Sequence, residues 1–428
     1  MDKVKTGIPP GEIDAMVQKA VFGADDKEKA KYQNAIREVA LSLGIFPASI
    51  QGLYEAAGKG LFSGITVPAI NIRGLTYLVA RAVFRAALKA NVGAFTFEIA
   101  RSEIGYTAQR PAEYTACVMA AAIREGFKGP VFLHGDHYQA NRAKFTSEPD
   151  KELSAIKDLI RESVSAGFWN IDIDASTLVN MDRKTLEEEQ EENTRVTAEM
   201  TRFIREIEPE GVTVSVGGEI GEIGKGNSTP EDLRAFMAGY LYNVGKGFKG
   251  ISKISVQTGT THGGVVLPDG SIAEIELDFK VLETLSRMAR EQYEMGGAVQ
   301  HGASTLPDEA FHMFPQAGAI EVHLATGFQN IIYDSQYFPK ELLSTIHSHL
   351  SRKYAGERAA GDTDEQFWYK TRKRAFGDFK KEIWAIPEDK LAKIGKELES
   401  RFSLLFDKLN VGKTVELVDR YVVKGKFV

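Results

Sequence analysis

The chain has 428 residues, 43% of them hydrophobic, a single cysteine and a formal net charge of −6 at pH 7. The acidic balance argues against broad nucleic-acid binding, one cysteine excludes an internal disulfide, and no apolar run approaches the ~20 residues that span a bilayer. A soluble, cytoplasmic protein with a core large enough to need no staples is expected.

The N-terminal stretch MDKVKTGIPPGEID carries acids and prolines where a signal peptide needs an apolar run. Residues 1–60 read as a helical, peripheral extension, because PPGEIDAMVQKAVFG and EKAKYQNAIREVALSLGI repeat apolar residues at spacings of three and four. From residue 61 short, β-rich apolar runs alternate with longer helical ones. The runs are TVPAINI (66–72), AFTFEIA (94–100), PVFLHGD (130–136), FWNIDID (168–174), VTVSVGGE (212–219), ISKISVQTG (251–259), GAVQHGA (297–303) and AIEVHLATG (319–327). Between them lie segments such as LTYLVARAVFRAALKAN, PAEYTACVMAAAIREG and KELSAIKDLIRESVSAG. The last two end in glycine, a common residue just past a helix. Cys117 reads as a small buried residue on the second of them.

The acidic run LEEEQEEN (186–193) reads as the solvated first turns of a helix. After residue 335, ELLSTIHSHLSRKYAG reads as a closing helix and GERAAGDTDEQF as a polar loop. EDKLAKIGKELESRFSLLFDKLN is amphipathic, suited to covering the barrel or to a dimer contact. Near-continuous apolar strands alternating with helices mean a parallel sheet covered on both faces. Eight such units predict a closed (β/α)8 TIM barrel over 61–350, with helical extensions over 1–60 and 351–428. An open doubly wound sheet would carry a Gly-rich dinucleotide turn after its first strand, and no GxGxxG stands there.

Barrel chemistry sits at the C-terminal ends of the strands. Here the third run ends in Asp136 and His137, the fourth in Asp174 and the fifth in Glu219. His262 follows the sixth, and His301 and His323 lie on the seventh and eighth. Imidazoles and carboxylates gathered at one rim suit zinc or a similar divalent cation. His134 is expected to point into the barrel and pack beneath the ligands as a hydrogen-bond donor. His312, His347 and His349 read as structural, on helices without an acidic partner. HGG (262–264), HGAS (301–304) and ATG (325–327) place small residues and hydroxyls after the last three strands. Barrel phosphate sites form there from backbone N–H groups and helix N-termini.

These residues resemble the class II, metal-dependent ketose-bisphosphate aldolases, the family of fructose-bisphosphate aldolase. VPAINI, FLHGDH, NIDIDAS, GGEIGEIG, TPEDL, TGTTHGG and QHGAS stand in the family's order, and WYKTR resembles the YDPR of its larger, dimeric branch. The resemblance implies aldol cleavage of a ketose 1,6-bisphosphate, fructose 1,6-bisphosphate by default, as part of glycolysis or carbohydrate metabolism, in a cytoplasmic homodimer or higher homo-oligomer. It implies Asp136 as the acid/base at the C4 hydroxyl, zinc or another divalent metal on His137, His262 and His301, and Glu219 close enough to ligate it. Asp174 matches a position beside a secondary, monovalent cation. Gly263, Gly302, Ser304 and Thr326 match the phosphate site, Asn71 and His323 line the substrate, and Arg372 reaches the other phosphate from a neighbouring subunit. No nucleic-acid or membrane partner is implied.

The departures surround the substrate. The glutamate-bearing loop is short, which makes Glu222 the foremost candidate for the second acid and Glu231 a weaker one. His323 stands where the family has asparagine, Val266 where it has lysine and Ala100 where it has serine. They leave room for a tagatose bisphosphate or another phosphosugar, or for a non-catalytic partner subunit.

Overall fold

Each of the eight predicted runs overlaps one strand, in a computed structural model that describes residues 9–221, 226–259, 267 and 277–425. A ninth, short strand precedes them. In chain order they are β1 (Ile45–Pro47), β2 (Val67–Asn71), β3 (Thr96–Ala100), β4 (Gly129–Gln139), β5 (Phe168–Asp174), β6 (Ser215–Glu219), β7 (Lys253–Ser255), β8 (Ala298–Gln300) and β9 (Glu321–Leu324). Strands β2 to β9 are parallel and each pairs with the next. The pairing Val67↔Glu321 to Ile70↔Leu324 closes the ring. This is the expected (β/α)8 barrel. No helix of the described residues is long and apolar enough to cross a membrane.

Local chemistry sets the helix ends. Gly126 (φ 76°) and Gly167 (φ 98°) adopt the left-handed conformation that ends Pro111–Glu125 and Pro149–Ala166, which costs glycine little. Thr229 and Asp232 form a capping box at the start of Pro230–Val244. Cys117 is buried on the helix Pro111–Glu125.

The stretch 1–60 is only partly peripheral. Pro10–Phe22 and Asp26–Ser42 pack on each other and on Pro111–Glu125, outside the barrel. Ile45–Pro47, by contrast, pairs with the start of β4, and Gln51–Gly58 lies under the barrel floor. There the Ile50 N–H donates to Asn170 Oδ1 at 2.8 Å, and the fully buried Tyr54 donates its hydroxyl to Glu321. Helical spacing is the same for a helix that coats the barrel and one that plugs it.

Part of the expected polar loop is helical as well. A capping box between Thr363 and Gln366 starts Asp364–Thr371 inside it. The turns Arg372–Arg374 and Ala375–Asp378 follow, and Lys373 of the first lines the cavity at the mouth of the barrel. Gly377 lies so close to the Tyr106 carbonyl, and Gly74 to the Phe376 ring, that a Cβ at either would collide. The helix Glu388–Lys408 packs against Thr76–Ala90, buries Ile394, Leu398, Phe402, Leu405 and Phe406, and ties Glu399 to Arg85 (2.7 Å) and Lys89.

Candidate active site

Successive residues of a strand point to opposite faces, yet Asp136 and His137 both line one cavity at the mouth. A bulge explains this. The β4–β5 register slips between Gly135 and Tyr138, and His137 takes φ 41°, uncommon for a non-glycine residue. The Tyr138 ring folds against Gly135, where a Cβ would lie 2.5 Å from it. Glycine at 135 therefore permits the kink that aims His137 inward.

Around the bulge the expected residues converge. His137 Nδ1 lies 2.9 Å from Asp174 Oδ2 and 3.3 Å from Glu219 Oε2, while its Nε2 lies 3.8 Å from Asp136 Oδ1. His301 Nε2 lies 3.4 Å from that same Asp136 oxygen. The His137 and His301 rings are 4.3 Å apart, and those of His301 and His323 4.1 Å. One ligand atom from each of Asp136, His137 and His301 fits within a 4.8 Å span, as does one from each of His137, Asp174 and Glu219. Imidazole and carboxylate at that spacing fit a divalent cation. Asp174 is also held by Ser176 and by Gln139 (2.6 Å).

The electrostatics follow from burial and neighbours. Burial pulls the His137 pKa down, but Asp136, Asp174 and Glu219 outweigh it and hold it well above the ordinary value. Burial, with His323 and His137 beside it, drives His301 well below the ordinary value, which favours the neutral, ligating form. Burial would raise Asp136, yet His137, His323 and His301 hold it well below the carboxylate range. Glu219 is pushed up to about 7 by burial and by the Asp174 and Asp136 charges.

Beneath this rim lies a second polar layer. Lys253 Nζ sits 2.9 Å from Asp172 and against Glu321. His134 bridges Asp172 (3.0 Å) and Glu98 (3.6 Å), as expected of a histidine packed under the ligands. His323 joins the two layers, with Nδ1 2.8 Å from Glu98 and 3.3 Å from Asp136, and Nε2 2.6 Å from Glu321. Gly217, between Asp172 and Lys253 in the ladder, makes room for that pair, since a Cβ there would strike both side chains. Burial would favour neutral groups, but mutual attraction wins. Asp172 is lowered to about 2 and Lys253 is raised.

On the β2, β8 and β9 side, Asn71, Gly302, Ser304, His323 and Thr326 line the cavity of about 920 Å3. Thr326 opens the helix Thr326–Asp334. Gly327 lets the loop after β8 touch that helix, because a Cβ there would lie 2.6 Å from the Ser304 carbonyl oxygen. Glu222, His262 and Gly263 lie outside the described residues. Arg372 is absent from the cavity lining of its own chain. Its guanidinium clamps Asp334 (2.5 Å) and Asn330 (2.7 Å). His349, expected to lack an acidic partner, has one, because the fold brings Asp378 to 2.9 Å from a distant segment. His347 stacks on Trp368.

Sequence reading missed Glu98, Asp172, Lys253 and Glu321 as parts of the site. For Asp172 and Glu321 the signal was alternation. Asp172 and Asp174, Glu321 and His323, and His134 and Asp136 are spaced by two on apolar strands, so each pair faces the barrel interior. Arg73 and Glu103 (2.6 Å apart) stand in loop and helix, where no period marks them.

The sequence profile of the family described as fructose-bisphosphate aldolase class-II matches residues 50–393. No curated protein sequence matches the chain. Among solved structures, the chain is similar to a fructose-bisphosphate aldolase from Campylobacter jejuni, at 17% identity over 87% of this chain and 98% of that one, with a TM-score of 0.52. It is similar to a probable tagatose 6 phosphate kinase from Sinorhizobium meliloti 1021, at 17% identity over 84% and 95%, with a TM-score of 0.54. It is also similar to the fructuronate-tagaturonate epimerase of Cohnella laeviribosi, at 12% identity over 89% and 86%, with a TM-score of 0.58. At such identities the structures speak to the fold, and the profile match, which covers most of the chain, speaks to ancestry. The chain belongs to the class II fructose-bisphosphate aldolase family, a family of lyases.

Proposed function

We propose that the protein is a zinc-dependent aldolase that interconverts a ketose 1,6-bisphosphate, by default fructose 1,6-bisphosphate, with dihydroxyacetone phosphate and an aldehyde such as glyceraldehyde 3-phosphate. The observation that carries this reading is the meeting of Asp136, His137 and His301 at one rim of a cavity that Ser304 and Thr326 also line. His137 and His301 would hold the metal, with His262 as the third imidazole. When bound, the metal supplies Lewis-acid stabilisation of charge on the substrate's carbonyl and hydroxyl oxygens.

The chain's own residues do the rest. Asp136, held ionised by the histidines around it, accepts the C4 hydroxyl proton as the carbon–carbon bond breaks. Glu219, raised to about 7, is poised to carry a proton near neutral pH. Glu222 stays the candidate for proton return. Asn71 donates to Glu103 at 2.7 Å, and its amide oxygen, without a partner among the described residues, accepts from a substrate hydroxyl. Asp174 keeps His137 oriented and serves the secondary, monovalent cation. Cytoplasmic location, a homodimer and a role in glycolysis complete the reading and rest on the family resemblance.

The test measures bound zinc and the cleavage of fructose and tagatose bisphosphates, with and without a chelator. Cleavage lost to the chelator and restored by zinc supports the proposal, and the preferred sugar fixes the stereochemistry at C4. Metal-free protein without cleavage would turn the assignment to a non-catalytic partner subunit.

A further inference from the structure

Three imidazole nitrogens stand around one carboxylate oxygen at the rim. His323 Nδ1 lies 3.3 Å from Asp136 Oδ1, His301 Nε2 3.4 Å and His137 Nε2 3.8 Å. His137 and His301 belong with Asp136 to the metal set already described. His323 belongs to another. One ligand atom from each of Glu98, Asp136 and His323 also fits within a 4.8 Å span. These three are buried, at 1%, 4% and 4% exposure, yet all of them line the cavity, which gives an ion a way in from the mouth.

The donors are arranged as a cation site needs. His323 Nε2 lies 2.6 Å from Glu321 Oε1, and a carboxylate behind one ring nitrogen is the usual way of turning the other towards a metal. His137 is backed in the same way, by Asp174 at Nδ1. His323 Nδ1 lies 2.8 Å from Glu98 Oε2, but the two are out of line, and neither atom has a hydrogen bond among the described residues. An ion about 2.0–2.2 Å from each donor needs donors about 3–3.5 Å apart, close to the 2.8 and 3.3 Å found around Nδ1. Among the described residues no lysine or arginine pairs with Glu98 or Asp136. The groups that face them are the imidazoles of His134, His137, His301 and His323. The set His134, Asp172, Glu321 and His323 beneath makes the contrast. There the Lys253 ammonium already touches three of the four members, 2.9 Å from Asp172, 3.3 Å from His134 Nε2 and against Glu321. The lower layer carries its own fixed cation and the upper set does not.

We propose that Glu98, Asp136 and His323 form a second divalent-cation site, joined through Asp136 to the one that His137 and His301 would hold, so that two ions share this rim. Two carboxylates and one imidazole suit a harder cation than zinc, of the Mn2+ class. Burial opposes a charge on His323, but Glu98 and Asp136 outweigh it and hold its pKa well above the ordinary value; an ion bound at Nδ1 takes the place of that proton. The site rests on its own donors, and only the reaction it serves rests on the aldolase reading.

The experiment strips the full-length chain of metal, titrates it with Mn2+ and counts bound ions from the loss of the free-ion electron paramagnetic resonance signal. Wild type is expected to bind two Mn2+ per chain and to show the exchange-coupled spectrum of ions about 3.5–4 Å apart. His323→Asn and Glu98→Gln are each expected to weaken the second ion roughly 10- to 100-fold and to leave a single-ion spectrum, the retained first ion showing that the variant is folded. The count and the coupling in wild type do not depend on how either variant folds. Wild type with one ion, or with two uncoupled ions, overturns the inference, as does a coupled pair that survives in both variants. A coupled pair that needs Glu98 and His323, in a chain that cleaves no ketose bisphosphate, would overturn the aldolase reading and leave this site standing. Cleavage by a chain that binds a single ion does the reverse.

Discussion

At the scale of single residues the rim and the layer beneath it have opposite designs. The rim gathers more carboxylate than its histidines balance, a state that a divalent cation neutralises. Replacing His301 with alanine is expected to lower bound zinc and to cut cleavage by roughly 10³-fold; zinc content by mass spectrometry and turnover should fall together, and turnover retained at full zinc loading would contradict its role. Asp136→Asn keeps the shape and removes the base, with an expected loss of about 10²- to 10⁴-fold in kcat. A variant within a factor of a few of wild type would remove Asp136 from the proton transfer. The histidine and carboxylate types at the strand ends were legible because barrel strands carry their chemistry at one end. The inward turn of His137 was not, because the bulge arises from pairing with β5.

Elements decide where those residues go. Gly377 sits in Ala375–Asp378, against the Tyr106 carbonyl. Gly377→Val should lift the C-terminal turns off the mouth at a cost of about 1–3 kcal/mol in overpacking, visible in urea denaturation and as a raised KM. The helix Glu388–Lys408 depends on Glu399, whose pKa is lowered to about 2 by Arg85 and Lys89 even though burial opposes this. A depressed carboxylate stabilises the fold above its unfolded value of 4.5 and loses that contribution as pH falls towards about 2. Lys89 is largely exposed, so screening limits the effect to about 1 kcal/mol. Glu399→Gln should therefore be less stable than wild type at neutral pH, and the gap should close as the solution is acidified below pH 4.5. A gap that widens on acidification would be the wrong sign. The start of Asp364–Thr371 was hidden in a stretch read as loop, although the T-x-x-Q pattern at Thr363 and Gln366 was present in it.

For the molecule as a whole, the barrel interior is the unusual feature, since its middle is ionic. Lys253 compensates Asp172 and Glu321 with both carboxylates out of water. Breaking such a cluster leaves uncompensated buried charge. Lys253→Met is expected to cost about 3–5 kcal/mol of stability, measured as a lower urea midpoint. An unchanged midpoint would mean that water or a counter-ion reaches this layer.

The sequence by itself determined the barrel, the helix ends and the residue types of the rim. Each of these depends on local quantities: alternation along a strand, capping side chains and left-handed glycines. Tertiary structure alone decided that Arg372 is a clamp and Lys373 its cavity-facing neighbour, that Gln51–Gly58 is a floor, and that His323 ties the two polar layers together. Those outcomes depend on which surfaces meet across hundreds of residues, and the direction of a side chain at such a meeting is fixed by its partner, which leaves no period or spacing in the chain.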